Sequence, residues 1–305
     1  MRGSQNSADV HSLEGLREFQ AKGIELGVVG WPVRHSLSPP MHAAALAVLT
    51  ERDPQFSNWF YRAYELRPEE LKDAFECFHE KGFRGVNLTV PHKIEVLPLL
   101  DEIDPVAERM GAVNTVVFDN GKSHGFNSDG YGLEKAVQES FGRDLRGRDV
   151  LILGAGGASR AAAAQCVESG ARSLVIANRS LEKAERIAEI VGDGNSSVAA
   201  APIGDAPHRV PAGTLVINAT SLGLKKSDPA PVSVQDLPEH CSIFDMIYNP
   251  AETALLREGV LRGYPTANGL AMLVHQGVRS LEIWTGQPVD PEPMRSACEL
   301  VLGAI

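Results

Sequence analysis

Three things are scarce in this sequence, and each scarcity excludes something. Cysteine occurs four times in 305 residues, at Cys77, Cys166, Cys241 and Cys298, and never as a C-x-x-C pair. Thiols so far apart build neither a zinc site nor a disulfide framework, and they suit a reducing compartment. No apolar run approaches the ~20 residues that cross a bilayer. The polar first two dozen residues lack the apolar h-region of a secretory signal. Positive charge is short as well: 29 Lys and Arg against 39 Asp and Glu leave a formal net charge of −10. Such a balance argues against a nucleic-acid backbone or an anionic membrane as main partner. The expected setting is the cytoplasm and the expected partner a small molecule; a second copy of the chain, as a homodimer, is the one macromolecular partner left open.

What is present points to α/β architecture. The stretch Val150 to Arg160 reads VLILGAGGASR: a near-continuous apolar run stopped by glycines, then small residues that favour a helix. A Gly-rich strand-to-helix turn brings backbone N–H groups and the positive end of a helix towards an anion. The dinucleotide fingerprint is G-x-G-x-x-G, and here Ser159 stands at the third glycine position. A small residue there still lets helix pack on strand. Taken alone the pattern is weak, because Gly-rich turns are common.

The flanks repeat the strand–helix alternation. Strands are expected at 24–30, 59–66 and 85–90, and helices open at Ser38 as N-cap with Pro39 at the first helical position, and at Pro68. Asn120-Gly121 marks a hairpin between 112–118 and 122–127. After a helix from Gly130 and the Gly-rich unit come strands at 173–177, 214–219 and 242–247. From Gly269 the pattern is helical only. This alternation predicts two α/β domains, an N-terminal one with a mostly parallel sheet and a Rossmann-like one, after a flexible tail over 1–23; the pattern leaves the C-terminal helical pair open between the two.

The strand after a dinucleotide turn decides the cofactor. A carboxylate at its end favours a free ribose 2′-hydroxyl, whereas an arginine accommodates a 2′-phosphate. Here the end reads Asn178-Arg179-Ser180, with Lys183 one turn further on and Glu182 between. The alternative is a pair of solvated cations, but cations are mildly unfavourable at a helix start. NADP is the expected cofactor.

Polar clusters elsewhere carry the chemistry: Ser36 and Ser38; Asn87, Thr89 and Lys93; Asn114 with Thr115; and Asn127, Ser128 and Asp129. Each alone has a plain reading as a cap or a backbone partner. Together with their surroundings they resemble a known family, the shikimate dehydrogenases. The resemblance rests on GWPVRHSLSP (30–39), GVNLTVPHK (85–93), GAVNT (111–115), NSDG (127–130), GAGGASR (154–160), NRS (178–180), INATSLG (217–223), DMIYNP (245–250) and GLAMLVHQ (269–276), in that order.

That resemblance implies NADP-linked interconversion of shikimate and 3-dehydroshikimate, on the route to aromatic amino acids. It implies that Ser36, Ser38 and Tyr248 hold the substrate carboxylate. Asn87, Asn114, Asp129 and Gln276 would meet the ring hydroxyls, with Thr89 lining the site. Lys93 and Asp129 would be the catalytic pair. The C-terminal helices would then return to the first domain, which makes 24–128 and 268–305 the substrate-binding catalytic domain and 129–267 the NADP-binding domain. The cofactor would be held by Gly154, Ala155, Gly156, Gly157, Ala158, Asn178, Arg179, Ser180, Lys183, Ala219 and Thr220, with Gly269 and Met272 beside the nicotinamide. No metal is implied. The runner-up within the family is a quinate or dual quinate/shikimate dehydrogenase using NAD or NADP. A silent nucleotide-binding module would be expected to lose Lys93 or Asp129, and both are present.

Overall fold

The computed structural model describes residues 10–192, 194 and 197–303. The chain divides into two compact units, Met1–Ser128 with Gly277–Ile305, and Asp129–Gln276. The return to the first unit thus falls inside a helix, whereas the boundary expected from the resemblance is at 268.

In the first unit the chain runs β1 (Val10–His11), α1 (Leu13–Glu18), β2 (Ile24–Gly30), α2 (Ser38–Arg52), β3 (Trp59–Glu65), α3 (Leu71–Glu80), β4 (Gly85–Leu88), α4 (His92–Glu95), β5 (Glu102–Ile103), α5 (Pro105–Met110), β6 (Thr115–Asp119) and β7 (Lys122–Phe126). These seven strands form one sheet in the order β1-β3-β2-β4-β6-β7-β5. Four of its six pairings are parallel; β6 runs antiparallel to both β4 and β7. The reversal at β6–β7 follows from Asn120 and Gly121, whose φ values of 49° and 76° suit a tight hairpin turn.

The expected tail needs correction over part of its length. Val10–His11 adds an edge strand beside β3, and α1 is capped by Ser12, whose side chain accepts from the Gly15 N–H. Leu13 and Leu16 are buried in the same apolar cluster as Phe75 and Phe78 of α3. Two apolar anchors and one sheet edge order a segment whose composition is polar; residues 1–9 lie outside the described residues. A second correction concerns Ser38. It is the first residue of α2, and Leu37 occupies the cap position without a side-chain bond. The Ser38 N–H is met instead by Ser36 Oγ at 3.2 Å.

The second unit runs α6 (Asp129–Phe141), β8 (Asp149–Leu153), α7 (Gly157–Glu168), β9 (Ser173–Asn178), α8 (Leu181–Val191), β10 (Ser197–Pro202), β11 (Leu215–Asn218), β12 (Ser242–Asp245), α9 (Ala254–Leu261), β13 (Thr266–Ala267) and the start of α10 (Leu270–Thr285). Its six strands are all parallel, in the order β10-β9-β8-β11-β12-β13. Numbered from β8 as one, that is 3-2-1-4-5-6, the doubly wound dinucleotide-binding order. The VLIL run explains its own burial: Val150 and Ile152 face one apolar cluster, Leu151 and Leu153 the other. A strand covered on both faces needs no polar residue.

The later turns of α10 and α11 (Pro291–Gly303) belong to the first unit. Trp284 lies so close over β4 that a Cβ on Gly85 would collide with its ring, and its Nε1 donates to the Val116 carbonyl at 2.9 Å. Among the described residues no helix is long and apolar enough to cross a membrane.

Candidate active site

The polar residues of the first unit form a buried network. Tyr61 on β3 donates its hydroxyl to Asn87 Oδ1 at 2.7 Å. Asn87 Nδ2, on β4, lies 3.0 Å from the Asn114 carbonyl, 3.1 Å from Thr115 Oγ1 and 3.0 Å from Ser280 Oγ of α10. Thr115 and Ser280 hydroxyls are 2.8 Å apart, and Ser128 Oγ lies 3.1 Å from Ser280. Asn114 Oδ1 accepts from the Ser128 N–H at 2.8 Å and from Thr115 Oγ1 at 3.0 Å. At the other end, Ser38 lies against Tyr61, whose own pKa is pushed up by burial. Ser38, Asn87, Asn114, Thr115, Ser128 and Ser280 are all buried. Because an unmet buried polar group costs about 1–3 kcal/mol, mutual satisfaction fixes these side chains.

His42 braces this network. Its ring stacks on Tyr61 with centroids 4.0 Å apart, and its Nδ1–H donates to the Ser38 carbonyl at 2.9 Å. Burial lowers its pKa to about 4, so the ring is neutral.

Around this network stand the other expected residues of the first unit. Ser36 is half-buried beside Ser38. The Thr89 methyl packs against Gly30, where a Cβ would collide with it, and the Thr89 N–H donates to the Val29 carbonyl at 2.9 Å. Lys93 is half-buried on α4, and its carbonyl accepts from the Val113 N–H at 2.8 Å, one residue before Asn114. Thus Ser36 is bonded to Ser38 and Asn87 to Asn114, whereas Lys93 and Thr89 are tied in through their backbone groups.

In the second unit, Asp129 opens α6, and Gly132, one turn later, lies against Met272 and Gln276 of α10. A Cβ there would sit 2.8 Å from the Met272 carbonyl and 2.9 Å from the Gln276 Cβ. Gly132 therefore lets α6, which Asp129 opens, approach closely the turn of α10 that carries Met272 and Gln276. Gly269 N–H donates to the Ile247 carbonyl at 3.1 Å, and a side chain at Gly269 would strike the Met246 carbonyl. That close approach sets Gly269 beside the segment that carries Tyr248.

The Gly-rich turn fits a dinucleotide. Gly154 has φ +108°, and a Cβ would crowd Ser159 Oγ at 3.0 Å and the Ala219 carbonyl at 3.1 Å. Here glycine is demanded by the protein itself. Gly156, the cap of α7, and Gly157 are exposed, with nothing of the protein within 4 Å of a Cβ. Protein packing does not call for glycine at either position; a ligand backbone pressed onto the turn would. Ala155 is half-buried and Ala158 exposed on the same turn. Asn178 ends β9 and donates to the Ser180 carbonyl at 3.0 Å, shaping the loop that presents exposed Arg179 and Lys183. Ser180 caps α8 without a side-chain bond, so its hydroxyl is not committed to the helix.

Two motif residues serve as supports. Asn218 accepts from the Thr220 N–H at 3.0 Å and its hydroxyl at 2.8 Å, and donates to Asp245 Oδ1 at 3.0 Å. Asp245 is buried, which raises its pKa, and also accepts from Thr253 Oγ1 and the Ile247 N–H. This pair clamps the loops after β11 and β12, holding Ala219 and Thr220 in place. Sequence reasoning misses Tyr61 and Ser280; a tyrosine in a strand and a serine in a helix carry no local mark of function. Among the described residues no group of three or more His, Cys, Asp or Glu could hold a metal.

Comparison with known proteins covers most of the chain. Residues 28–116 match the family model of the shikimate dehydrogenase substrate binding domain, 135–226 that of shikimate / quinate 5-dehydrogenase, and 269–299 that of the shikimate 5′-dehydrogenase C-terminal domain. The shikimate dehydrogenase (NADP(+)) of Desulforamulus reducens is 41% identical over 276 residues, covering 88% of this chain and 92% of that protein. Its namesake in Methanococcus aeolicus is 39% identical, covering 89% and 95%. The crystal structure of shikimate 5-dehydrogenase from Thermus thermophilus in complex with NADP(H) and shikimate aligns with a TM-score of 0.80 at 37% identity, over 91% of this chain and 99% of that one. With relatives this similar over nearly the full length of both partners, the chain belongs to the shikimate dehydrogenase family.

Proposed function

We propose that the protein is an NADP-dependent shikimate dehydrogenase, interconverting shikimate and 3-dehydroshikimate in the biosynthesis of aromatic amino acids. The observation that carries this reading is the second strand of a 3-2-1-4-5-6 sheet ending in Asn178-Arg179-Ser180, with no carboxylate to meet a free 2′-hydroxyl. The relatives named above support shikimate over quinate. Residues 24–128 and 268–305 are assigned to the substrate and 129–267 to the cofactor.

When bound, NADPH supplies the hydride that reduces the ketone carbon. The residues of this chain do the rest. Negative charge develops on the ketone oxygen, and Lys93 stabilises it and delivers the proton, while Asp129 orients the ammonium and shares its proton. In the reverse direction Lys93 takes the hydroxyl proton. Ser36, Ser38 and Tyr248 bind the carboxylate as hydroxyl donors. Asn114 and Gln276 bind ring hydroxyls, and Thr89 lines the site. Asn87, whose amide already meets Tyr61, Asn114, Thr115 and Ser280, is assigned chiefly to holding Asn114 in register. Asn178, Arg179, Ser180 and Lys183 bind the adenosine ribose phosphate, the 154–158 turn the pyrophosphate. Ala219, Thr220, Gly269 and Met272 border the nicotinamide.

We also assign the enzyme to the cytoplasm, in keeping with its four free, buried cysteines, and to a homodimer, for which sedimentation velocity is the test. The function is tested by steady-state turnover with shikimate and quinate, each against NADP and NAD. The expected result is the highest kcat/KM for shikimate with NADP; preference for quinate or for NAD would overturn the assignment.

A further inference from the structure

Four cations collect at one corner of the second unit. Leu153 of β8 pairs with Ala177 of β9, so the Gly-rich turn and the Asn178-Arg179 loop leave neighbouring strands at the same end. Arg160 stands in the first turn of α7, and Lys183 and Arg186 lie three residues apart on α8, which packs against α7. Among the described residues none of Arg160, Arg179, Lys183 and Arg186 forms an ion pair, although Glu182, Glu185 and Glu189 share α8. Elsewhere in this acidic chain arginines find carboxylates readily, as Arg62 does with Glu25 and Arg34 with Glu65.

Arg160 is the exceptional member. The other three are exposed and lose nothing by standing alone in water, whereas Arg160 is half-buried and its Nε is sealed from solvent with no hydrogen-bond partner. Its strongest charged neighbour is another cation, Arg186, and burial and that repulsion together lower its pKa. A guanidinium N–H withdrawn from water without a partner is unfavourable. The protein tolerates it at the start of the helix that follows the Gly-rich turn, beside the strand end that reads the ribose. An anion placed there would supply the missing partner and counter-charge.

The geometry points to Arg160 as a further cofactor-binding residue: we infer that its guanidinium joins Arg179 and Lys183 on the 2′-phosphate of NADP(H). This rests on the NADP reading above and adds to it a residue from the Gly-rich helix. A planar fork from α7 and a second from the β9 loop would clamp a phosphate dianion from two sides, a geometry that one arginine cannot give.

The test is calorimetric titration of wild type, Arg160→Met and Arg160→Lys with NADPH and with NADH, alongside melting curves without nucleotide. Wild type is expected to prefer NADPH. Arg160→Met should weaken NADPH ~10- to 100-fold, leave NADH within about twofold, and melt without nucleotide no lower than wild type. Arg160→Lys keeps the charge without the fork and should lose NADPH affinity several-fold; it carries the test if the Met variant does not fold. Equal weakening of NADPH and NADH would overturn the 2′-phosphate assignment in favour of the pyrophosphate. Unchanged NADPH affinity, or a lowered melting temperature without nucleotide, would make Arg160 structural and overturn the inference. Wild type that binds NADH as tightly as NADPH would refute the NADP reading itself, separately from Arg160.

Discussion

The two units prepare for a polar ligand in opposite ways. In the first, Tyr61, Asn87, Asn114, Thr115, Ser128 and Ser280 bond one another. In the second, among the described residues, the ligand end of the sheet leaves Arg160, Arg179 and Lys183 without carboxylate partners, and Gly156 and Gly157 bare. The difference follows the ligand chemistry. The substrate carries a single carboxylate on a hydroxyl-rich ring, so most of its site must consist of dipoles aimed beforehand by their neighbours. A phosphate dianion brings its own counter-charge, so the exposed Arg179 and Lys183 can wait unpaired in water without much penalty, and only the half-buried Arg160 stands at a cost. The comparison predicts that damage to the first unit costs orientation and stability together, whereas damage at the cofactor corner costs affinity alone.

The largest expected effect is on chemistry. Lys93→Ala should lower kcat by roughly 10²- to 10⁴-fold, the range attributed to positioned proton transfer, while the dissociation constant for shikimate changes only a few-fold. Asp129→Asn should act in the same sense. Stopped-flow single turnover with NADPH separates the chemical step from binding. Near wild-type turnover in either variant would remove that residue from the reaction.

Next in size is an acid sensitivity specific to the first unit. Buried His42 has its pKa lowered from 6.5 to about 4. Between those values the unfolded chain binds a proton that the folded chain refuses, so stability falls as pH drops from about 6.5 to about 4. Linkage puts the loss on the order of 3 kcal/mol across that window. His42→Phe keeps a ring on Tyr61 and should flatten the profile of urea midpoints over this range. A wild-type profile that is already flat would mean the ring is protonated in the fold.

How much of this is legible in the sequence differs between elements. The Gly-rich turn, the hairpin at Asn120-Gly121 and the motif residues are legible because each is a local requirement, of a positive φ, a close approach or a functional group. β10 is not, since SVAAAP at 197–202 has Val198 as its one branched residue, no aromatic and a closing proline; pairing with β9 makes it a strand. Val10 to Glu18 reads as tail because its order comes from burying Leu13 and Leu16 elsewhere in the unit. Ser38 looks like a cap because the pattern S-P-P suits one, yet the Ser36 hydroxyl serves that N–H. Tyr61 and Ser280 lie 26 and 193 residues from Asn87, and no spacing rule reaches so far.

The network itself gives a smaller and more diagnostic effect. Tyr61→Phe leaves Asn87 Oδ1 without its donor, and Ser280→Ala removes an acceptor of Asn87 Nδ2. Each should destabilise the protein by about 1–3 kcal/mol and raise the KM for shikimate with NADPH affinity unchanged, whereas Ser280→Thr should restore both. A fall in NADPH affinity would contradict the separation of roles between the units.

The smallest effect lies within the second unit, at the opposite end of its sheet from the ligand turn. At the start of β8, Asp149 accepts from Arg172 and from Ser173 Oγ, which together hold its carboxyl below the usual range. A lowered carboxylate pKa stabilises the fold above the unfolded value, near 4, and the contribution is lost as pH falls through the folded value. Arg172 is largely exposed, so solvent and salt screen the pair. Asp149→Asn should lower the melting temperature slightly at neutral pH and converge on wild type in acid. The same substitution should leave NADPH affinity untouched, because the charges that matter to a ligand are the ones the protein itself does not pair. An NADPH affinity that moved with Asp149 would mean that charge at the two ends of the sheet is coupled, and that unpaired cations at the ligand end are not the feature that selects the cofactor.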